Sequence, residues 1–365
     1  GDGASLYSLQ GAIRLGAEYA YWTDFFRRNR ILINLTVNVY SNTGQVLAMD
    51  RVGGVSLSYQ YSCSDFYYAH PVWLSAGEDA HLVFSPFIDK YLAAVGTPTQ
   101  HIIPVGFLYS SFIEPSRRFA EVEDVRANMR RNGVECTIGF FDENSVNLWY
   151  APSSHEQPRR DYEFLLRWLL EDSTLGLVLK PKYAPTLIER LGPVAELLEQ
   201  AIATGRCTIF MSDRIVSEMF PSTVAAMSDL CIGVAIGGTA ALEARLAGTP
   251  TLLIRHGSQV SRIFENRDVS HILYGDWSDL REAVEQWRIE GDVDSPLGNW
   301  SSFLSDLDPF TDGRTNERIG GYLSDLSEAL SNGLDKREAL EEALNRYRDK
   351  WGLPNRGEVA RVCGA

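Results

Sequence analysis

The sequence predicts an α/β fold made of two Rossmann-like domains, and three observations carry that prediction. The chain has 365 residues, too many for one ordinary core and enough for two. Apolar runs alternate with helical stretches through both halves, the order expected of mainly parallel sheets. Residues 228–255, SDLCIGVAIGGTAALEARLAGTPTLLIR, read strand, glycine turn, helix, stop, strand. That order is one right-handed βαβ unit.

The elements follow in order. Residues 7–28 predict a helix with an aromatic end formed by Tyr19, Tyr21, Trp22, Phe25 and Phe26. A strand at 31–37 and a short helix at 45–52 come next. Residues 55–62, VSLSYQYS, alternate strictly, with Val55, Leu57, Tyr59 and Tyr61 facing one way and Ser56, Ser58, Gln60 and Ser62 the other. A strand at 80–85, a helix at 86–95 opening on Pro86, and a strand at 101–106 complete the first series. That series is short by a strand or two for a full doubly wound unit. The charged stretch 113–133 lacks strong periodicity and reads as the inter-domain connection. The second series has strands at 136–141, 175–180, 207–210, 230–236 and 251–254. A helix at 161–172 carries Phe164, Leu165, Trp168 and Leu169 on one face. Residues 291–315 read as a long polar loop. The end is helical: Asp335 with Glu338 forms a capping-box pattern, and Leu340, Leu344, Tyr347 and Trp351 form one stripe closed by Gly352 and Pro354.

Composition narrows the function. Hydrophobic content of 45% and charged content of 22% are ordinary for a globular chain. The net charge of −14 argues against a nucleic-acid partner and against broad adhesion to anionic bilayers. No apolar run approaches the ~20 residues of a membrane span. The start, GDGASLYS, lacks Met and any signal pattern, so the chain is expected to be a piece or processed form of a longer protein in the cytoplasm. Five scattered cysteines without a C-x-x-C read mostly as small core residues. The six histidines show no metal-ligand spacing, and no nucleophile or Walker motif occurs. No metal and no cofactor are expected.

The chemistry concentrates at strand ends. Gly237 and Gly238 clear side chains from a helix start, where free N–H groups and the positive dipole end favour phosphate. Glu243 lies one turn further on. A tight βα turn with a solvent-facing Glu is the plainer alternative, although two glycines exceed what a turn needs. Lys180 and Lys182 flank Pro181 at the end of a strand, where open α/β sheets bind ligands. They suit phosphate oxygens, or are simply solvated. Asp142 and Glu143 follow the strand at 136–141 and suit acid–base work or a sugar hydroxyl, or mark an acid-preferring loop start. His155 sits in a polar loop and reads as incidental. Gln60 and Ser62 end the alternating strand and are expected to face a cleft, or to form an ordinary polar sheet face.

Together these segments resemble GT-B glycosyltransferases. IGGTAALEARLAGTPTLL is similar to their donor-nucleotide motif, in which Gly237, Gly238 and Thr239 match the phosphate turn and Glu243 the ribose-binding glutamate. The segments GGVSLSYQYS, EDAHLVFSPF, TIGFFDE, LVLKPK and the closing helical stretch, over most of residues 20–352, resemble bacterial surface-carbohydrate biosynthesis proteins of the capsule or O-antigen type. Departures exist. Ala235 stands where the retaining pattern has a second glutamate. Lys-Pro and Gly-Gly stand where cytidine-monophosphate-sugar enzymes have His-Pro and Ser-Ser.

The resemblance implies two domains facing across a cleft. An acceptor-side domain is expected at 1–115, a connection at 116–133, a nucleotide-sugar domain at 134–330, and a C-terminal helix and tail at 331–365 packing back on the body. It implies metal-independent transfer of a sugar from a nucleotide-sugar donor to a glycan or lipid-linked acceptor. Asp142, Glu143 and Lys180 would be catalytic. Lys182, Gly237, Gly238, Thr239 and Glu243 would hold the donor, with Gln60 and Ser62 on the acceptor side. Peripheral association with a membrane-bound assembly fits this role. The rival readings are a nucleotide-sugar epimerase of similar fold and a non-catalytic binding module of a larger assembly.

Overall fold

The structure is a computed structural model, and it describes residues 3–37, 43–63, 77–146, 154–211, 219–257, 264, 267–291 and 295–352. The chain divides into two compact units. Unit 1 comprises Gly1–Tyr61, His70–Leu108 and Ser305–Ala365; unit 2 comprises Ser62–Ala69 and Tyr109–Leu304.

Unit 1 holds helix α1 (Gly3–Asn29), strand β1 (Ile33–Val37), α2 (Thr43–Arg51), β2 (Val55–Tyr59), β3 (Ala80–Val83), α3 (Asp89–Val95) and β4 (His101–Pro104). The four strands form a parallel sheet in the order β1-β2-β3-β4. Alternation along β2 decides its packing. Val55 and Leu57 join Ala80, Leu82 and Ile103 in one core. That core is covered by the last helices, α13 (Thr315–Ser331) and α14 (Lys336–Trp351), through Tyr322, Leu326, Leu340 and Tyr347. Phe26 of α1 packs with Ala48 and Met49 of α2 in a separate small cluster.

Unit 2 holds α4 (Ser110–Ser116), α5 (Ala120–Arg131), β5 (Cys136–Phe141), α6 (Glu156–Glu171), β6 (Leu175–Lys180), α7 (Leu187–Leu191), α8 (Ala195–Ala203), β7 (Cys207–Ile209), α9 (Pro221–Met227), β8 (Leu230–Val234), α10 (Thr239–Leu246), β9 (Thr251–Ile254), β10 (Leu273–Tyr274) and α11 (Trp277–Glu290). Its parallel sheet runs β10-β9-β8-β5-β6-β7. The chain steps outward from β5 to β7, then returns to the other side of β5 and steps outward again. The β5/β8 boundary is therefore a topological switch point, where doubly wound sheets open a crevice for ligands. The central strands β5, β6, β8 and β9 are buried on both faces and read as near-continuous apolar runs. Phe140, Leu179 and Ile232 pack with α6, α8 and α11 on one face. Phe141, Val178 and Cys231 pack with α5, α9 and α10 on the other.

Several boundaries differ from the sequence reading. The stretch expected as a connection is largely α5, whose Val122 and Met129 enter the unit 2 core. Its apolar residues are few, and the charge of its exposed face hides the periodicity. Residues 305–330, expected in the second domain, belong to unit 1. The polar stretch 291–315 contains the short helix α12 (Leu304–Leu307). Beyond the two-residue β10, the second-series strands lie within two residues of expectation. The terminal helix carries both hydrogen bonds of the Asp335–Glu338 capping box and ends at Gly352 in the left-handed conformation, φ 62°. Trp351 is only partly buried there, because it lies in the last turn with its ring face covered by the Arg318 and Arg314 guanidinium groups. Pro354 and Cys363 lie outside the described residues.

Candidate functional site

The strand β5 delivers Asp142 to the end of the sheet. Period-2 alternation puts Asp142 on the Phe140 face, beside α6. A cavity of about 280 Å³ opens there, at the carboxyl ends of β5, β8 and β9. Asp142, Glu143, Gln157, Asp161, Ile236 and His256 are among its lining residues. The cavity therefore occupies the switch point of unit 2.

Asp142 is 5% exposed. Its Oδ1 accepts the Lys182 backbone N–H, its Oδ2 accepts the Tyr162 hydroxyl at 3.2 Å, and the Arg190 guanidinium lies 3.9 Å away. Burial dominates these partners and pushes the carboxyl up to about 7. Glu143 is held by the Lys182 ammonium at 2.5 Å. Asp161 is buried within the otherwise apolar stripe of α6. Its Oδ1 accepts Trp277 Nε1–H at 2.8 Å and Gln157 Nε2 at 3.3 Å, and its Oδ2 faces His256 Nε2 at 3.0 Å. A carboxylate fixed from one side thus orients an imidazole on the other.

Lys180 leaves β6 on the opposite face, with Val178. Burial lowers its ammonium pKa, against the pull of Glu243 and Asp142. Glu243 is 3% exposed, and its Oε1 accepts the Ser222 backbone N–H at 2.9 Å in the first turn of α9. Burial raises its carboxyl, and the Ser222 bonds oppose that shift. The sequence grouped Lys180 with Asp142; the structure puts them on two faces of one sheet edge.

The glycine turn bridges those faces. A 3₁₀ turn, Ala235–Gly237, follows β8, and α10 begins at Thr239. Gly238 is buried, and a methyl group there would meet the Cys63 carbonyl at 3.5 Å, an ordinary contact. Thr239 Oγ1 accepts the Cys63 backbone N–H at 3.1 Å and pairs with Ser62 Oγ at 2.8 Å. Ser62, expected on the acceptor side, is thus tied to the phosphate-turn candidate within unit 2. Gln60, expected to face a cleft, is 1% exposed, and its side-chain carbonyl accepts the Phe84 N–H at 2.8 Å just beyond β3. β2 ends at Tyr59, so Gln60 replaces a ladder bond at the strand end. His155 precedes α6, with its Nδ1 2.9 Å from Ser145 Oγ.

The sequence reading missed Asp161, Gln157 and His256. An acid at 161 in line with Leu165, Trp168 and Leu169 was the available signal, since a buried helix stripe seldom admits an unpaired carboxylate. His256 was signalled by its place two residues beyond β9.

Comparison with known proteins locates this fold. No family model and no curated protein sequence matches the chain. Among solved structures, the UDP co-structure of S. aureus MnaA aligns with a TM-score of 0.58 at 12% identity, covering 88% of this chain and 82% of that one. A Listeria monocytogenes protein described as a UDP-N-acetylglucosamine 2-epimerase gives 0.58 at 14% identity, covering 86% and 78%. The UDP-N-acetylglucosamine 2-epimerase of Rickettsia bellii gives 0.52 at 10%, covering 86% and 79%. The class that the fold defines is α/β with two Rossmann-like domains of the GT-B type. At these identities the likeness speaks for the fold. No helix among the described residues is long and apolar enough to cross a membrane. No cluster of His, Cys, Asp or Glu able to hold a metal ion occurs among them.

Proposed function

We propose that this chain is a nucleotide-sugar-dependent glycosyltransferase, moving a sugar from its donor to a glycan or lipid-linked acceptor in surface polysaccharide synthesis. The observation that carries the reading is the glycine turn that follows β8 into α10 at the switch point of one doubly wound sheet, with Ile236 of that turn lining the cavity. Gly237, Gly238 and Thr239 present helix N–H groups to the donor phosphates. Lys180 and Lys182 meet the charge that grows on the leaving phosphate, and Glu243, steadied by Ser222, serves the ribose hydroxyls. Asp142 and Glu143 orient or deprotonate the attacking hydroxyl, with Ser62 beside the turn. MnaA was solved with UDP, which makes uridine diphosphate the first nucleotide to try. The reaction is placed in the cytoplasm, at the edge of a membrane-bound assembly that presents the acceptor.

A second reading, epimerisation of the nucleotide sugar, is favoured by one observation. Asp142 and His256, two groups able to carry a proton, line the same cavity. Two fold neighbours are described as 2-epimerases. Incubation with UDP-, GDP-, dTDP- and CMP-sugars separates the readings. Transfer or slow donor hydrolysis releases free nucleotide, whereas epimerisation yields a new sugar nucleotide without release. Binding with neither product identifies a non-catalytic module and removes the enzyme reading.

A further inference from the structure

Asp161 and His256 form a dyad that the donor-binding roles leave unused. The Asp161 side chain on α6 is 3% exposed, and the His256 side chain, just beyond β9, is 20% exposed and lines the cavity. A carboxylate only accepts, so the 3.0 Å contact makes His256 Nε2 the donor. That bond fixes the tautomer and leaves Nδ1 with a lone pair. Nδ1 has no hydrogen-bond partner among the described residues. Asp161 is itself held, because its Oδ1 accepts Trp277 Nε1–H at 2.8 Å and Gln157 Nε2 at 3.3 Å. Trp277 in turn stacks on Phe164 at 5.3 Å and meets Phe140 at 6.0 Å. The other acids of the wall are committed. Asp142 accepts the Lys182 N–H and the Tyr162 hydroxyl, and Glu143 holds the Lys182 ammonium. A general base needs a lone pair within reach of the proton it takes, and Nδ1 is the one that the packing has prepared.

We propose that His256 is the catalytic base of this site and that Asp161 is the residue that positions it. The inference rests on the reading of unit 2 as a nucleotide-sugar site. The attacking hydroxyl, from the acceptor or from water, forms the new C–O bond at the anomeric carbon. Its proton passes to His256 Nδ1 as the bond to the donor phosphate breaks, and the phosphate leaves with the electron pair. The ring then carries a proton on each nitrogen, and Asp161, across the Nε2 bond, balances its positive charge. Asp142 and Glu143 orient the hydroxyl. Asp161→Asn separates position from chemistry. Its amide oxygen can keep the Trp277 bond while its NH₂ faces His256 Nε2, which moves the ring proton to Nδ1 and blocks the base without removing it.

The test reads tautomer and turnover separately. NMR of the full chain labelled at its histidine ring nitrogens, with His256→Ala to assign the ring, should show the Nε2–H tautomer in wild type and the Nδ1–H tautomer in Asp161→Asn. Nucleotide release from UDP-N-acetylglucosamine, GDP-mannose, dTDP-glucose and CMP-sialic acid measures turnover. In His256→Ala and in Asp161→Asn, kcat should fall by at least about 10²-fold. KM, and the calorimetric affinity for the parent nucleotide, should stay as in wild type. Wild-type turnover in a folded His256→Ala chain overturns the inference and leaves nucleotide binding standing. Turnover retained in Asp161→Asn after the tautomer has switched overturns the role of Asp161. Binding without nucleotide release from any of the four donors removes the base and leaves a binding site. Failure of every parent nucleotide to bind removes the site reading, and the inference with it.

Discussion

Asp142 holds its proton in a pH range where an exposed aspartate has lost it. Its carboxyl is pushed up to about 7 by burial, while the Lys182 N–H and Arg190 pull it back. The folded chain therefore binds one more proton than the unfolded chain between about pH 4 and 7. That contribution to stability is fully present near pH 4 and is lost as pH rises through 7. Asp142→Asn keeps an acceptor for Lys182 and a polar partner for Tyr162 but cannot titrate. In urea unfolding, the stability of wild type relative to Asp142→Asn should fall from pH 4.5 to 7.5 and level off above it. A relative stability that rises with pH would instead mean an ionised carboxylate held by Arg190. Lys180 makes a second prediction. If it meets charge growing on the leaving phosphate, Lys180→Ala should lower turnover by about 10²-fold with little change in donor affinity. A rise in KM alone would make it a uniform binding contact, and wild-type kinetics would place it outside the site.

Among the elements, the terminal helix shows what pattern reveals. Its start was legible because Asp335 and Glu338 stand at the capping-box spacing, and both bonds form. Its buried face was legible from Leu340, Leu344 and Tyr347. What it covers was not legible, because a helical stripe says that a face is buried without saying which sheet buries it. That choice falls to β2, β3 and β4, and the Tyr347 hydroxyl donates to the Pro104 carbonyl at 2.7 Å. Removing residues 335–365 should therefore unfold unit 1, whereas removing 355–365 should leave the melting temperature unchanged. Tyr347→Ala should cost ~3–5 kcal/mol and Asp335→Ala about 1 kcal/mol. Near-wild-type melting of the shorter chain would mark α14 as an appendage. The same limit governs the site. Asp142 and the glycine turn were readable from strand ends, but the Asp161–His256 pair joins residues 95 apart in sequence. Likewise, Lys180 and Asp142 fall on opposite faces because their strands bury opposite parities, a register that sequence does not state.

For the whole molecule, the chain leaves unit 1 at Leu108, builds unit 2, and returns at Ser305 to finish the first core. Unit 1 therefore cannot complete its core until α13 and α14 are present, and its stability depends on segments far apart in the sequence. Unit 2 is one continuous stretch apart from the excursion at 62–69, where Ser62 and Cys63 bond Thr239. The central claim is that the switch point of unit 2 binds a nucleotide through the turn at Gly238. Titration calorimetry of the full chain with UDP, GDP, dTDP, CDP and ADP tests it most directly, with Gly238→Val as the paired protein. The account predicts saturable binding of at least one nucleotide by wild type. It also predicts loss of that binding in a Gly238→Val protein that still folds by circular dichroism, because the γ-methyl groups press on the Cys63 and Ala235 carbonyls and displace the turn that would hold the phosphate. Binding that survives Gly238→Val, or no binding of any of the five nucleotides at millimolar concentration, would contradict it.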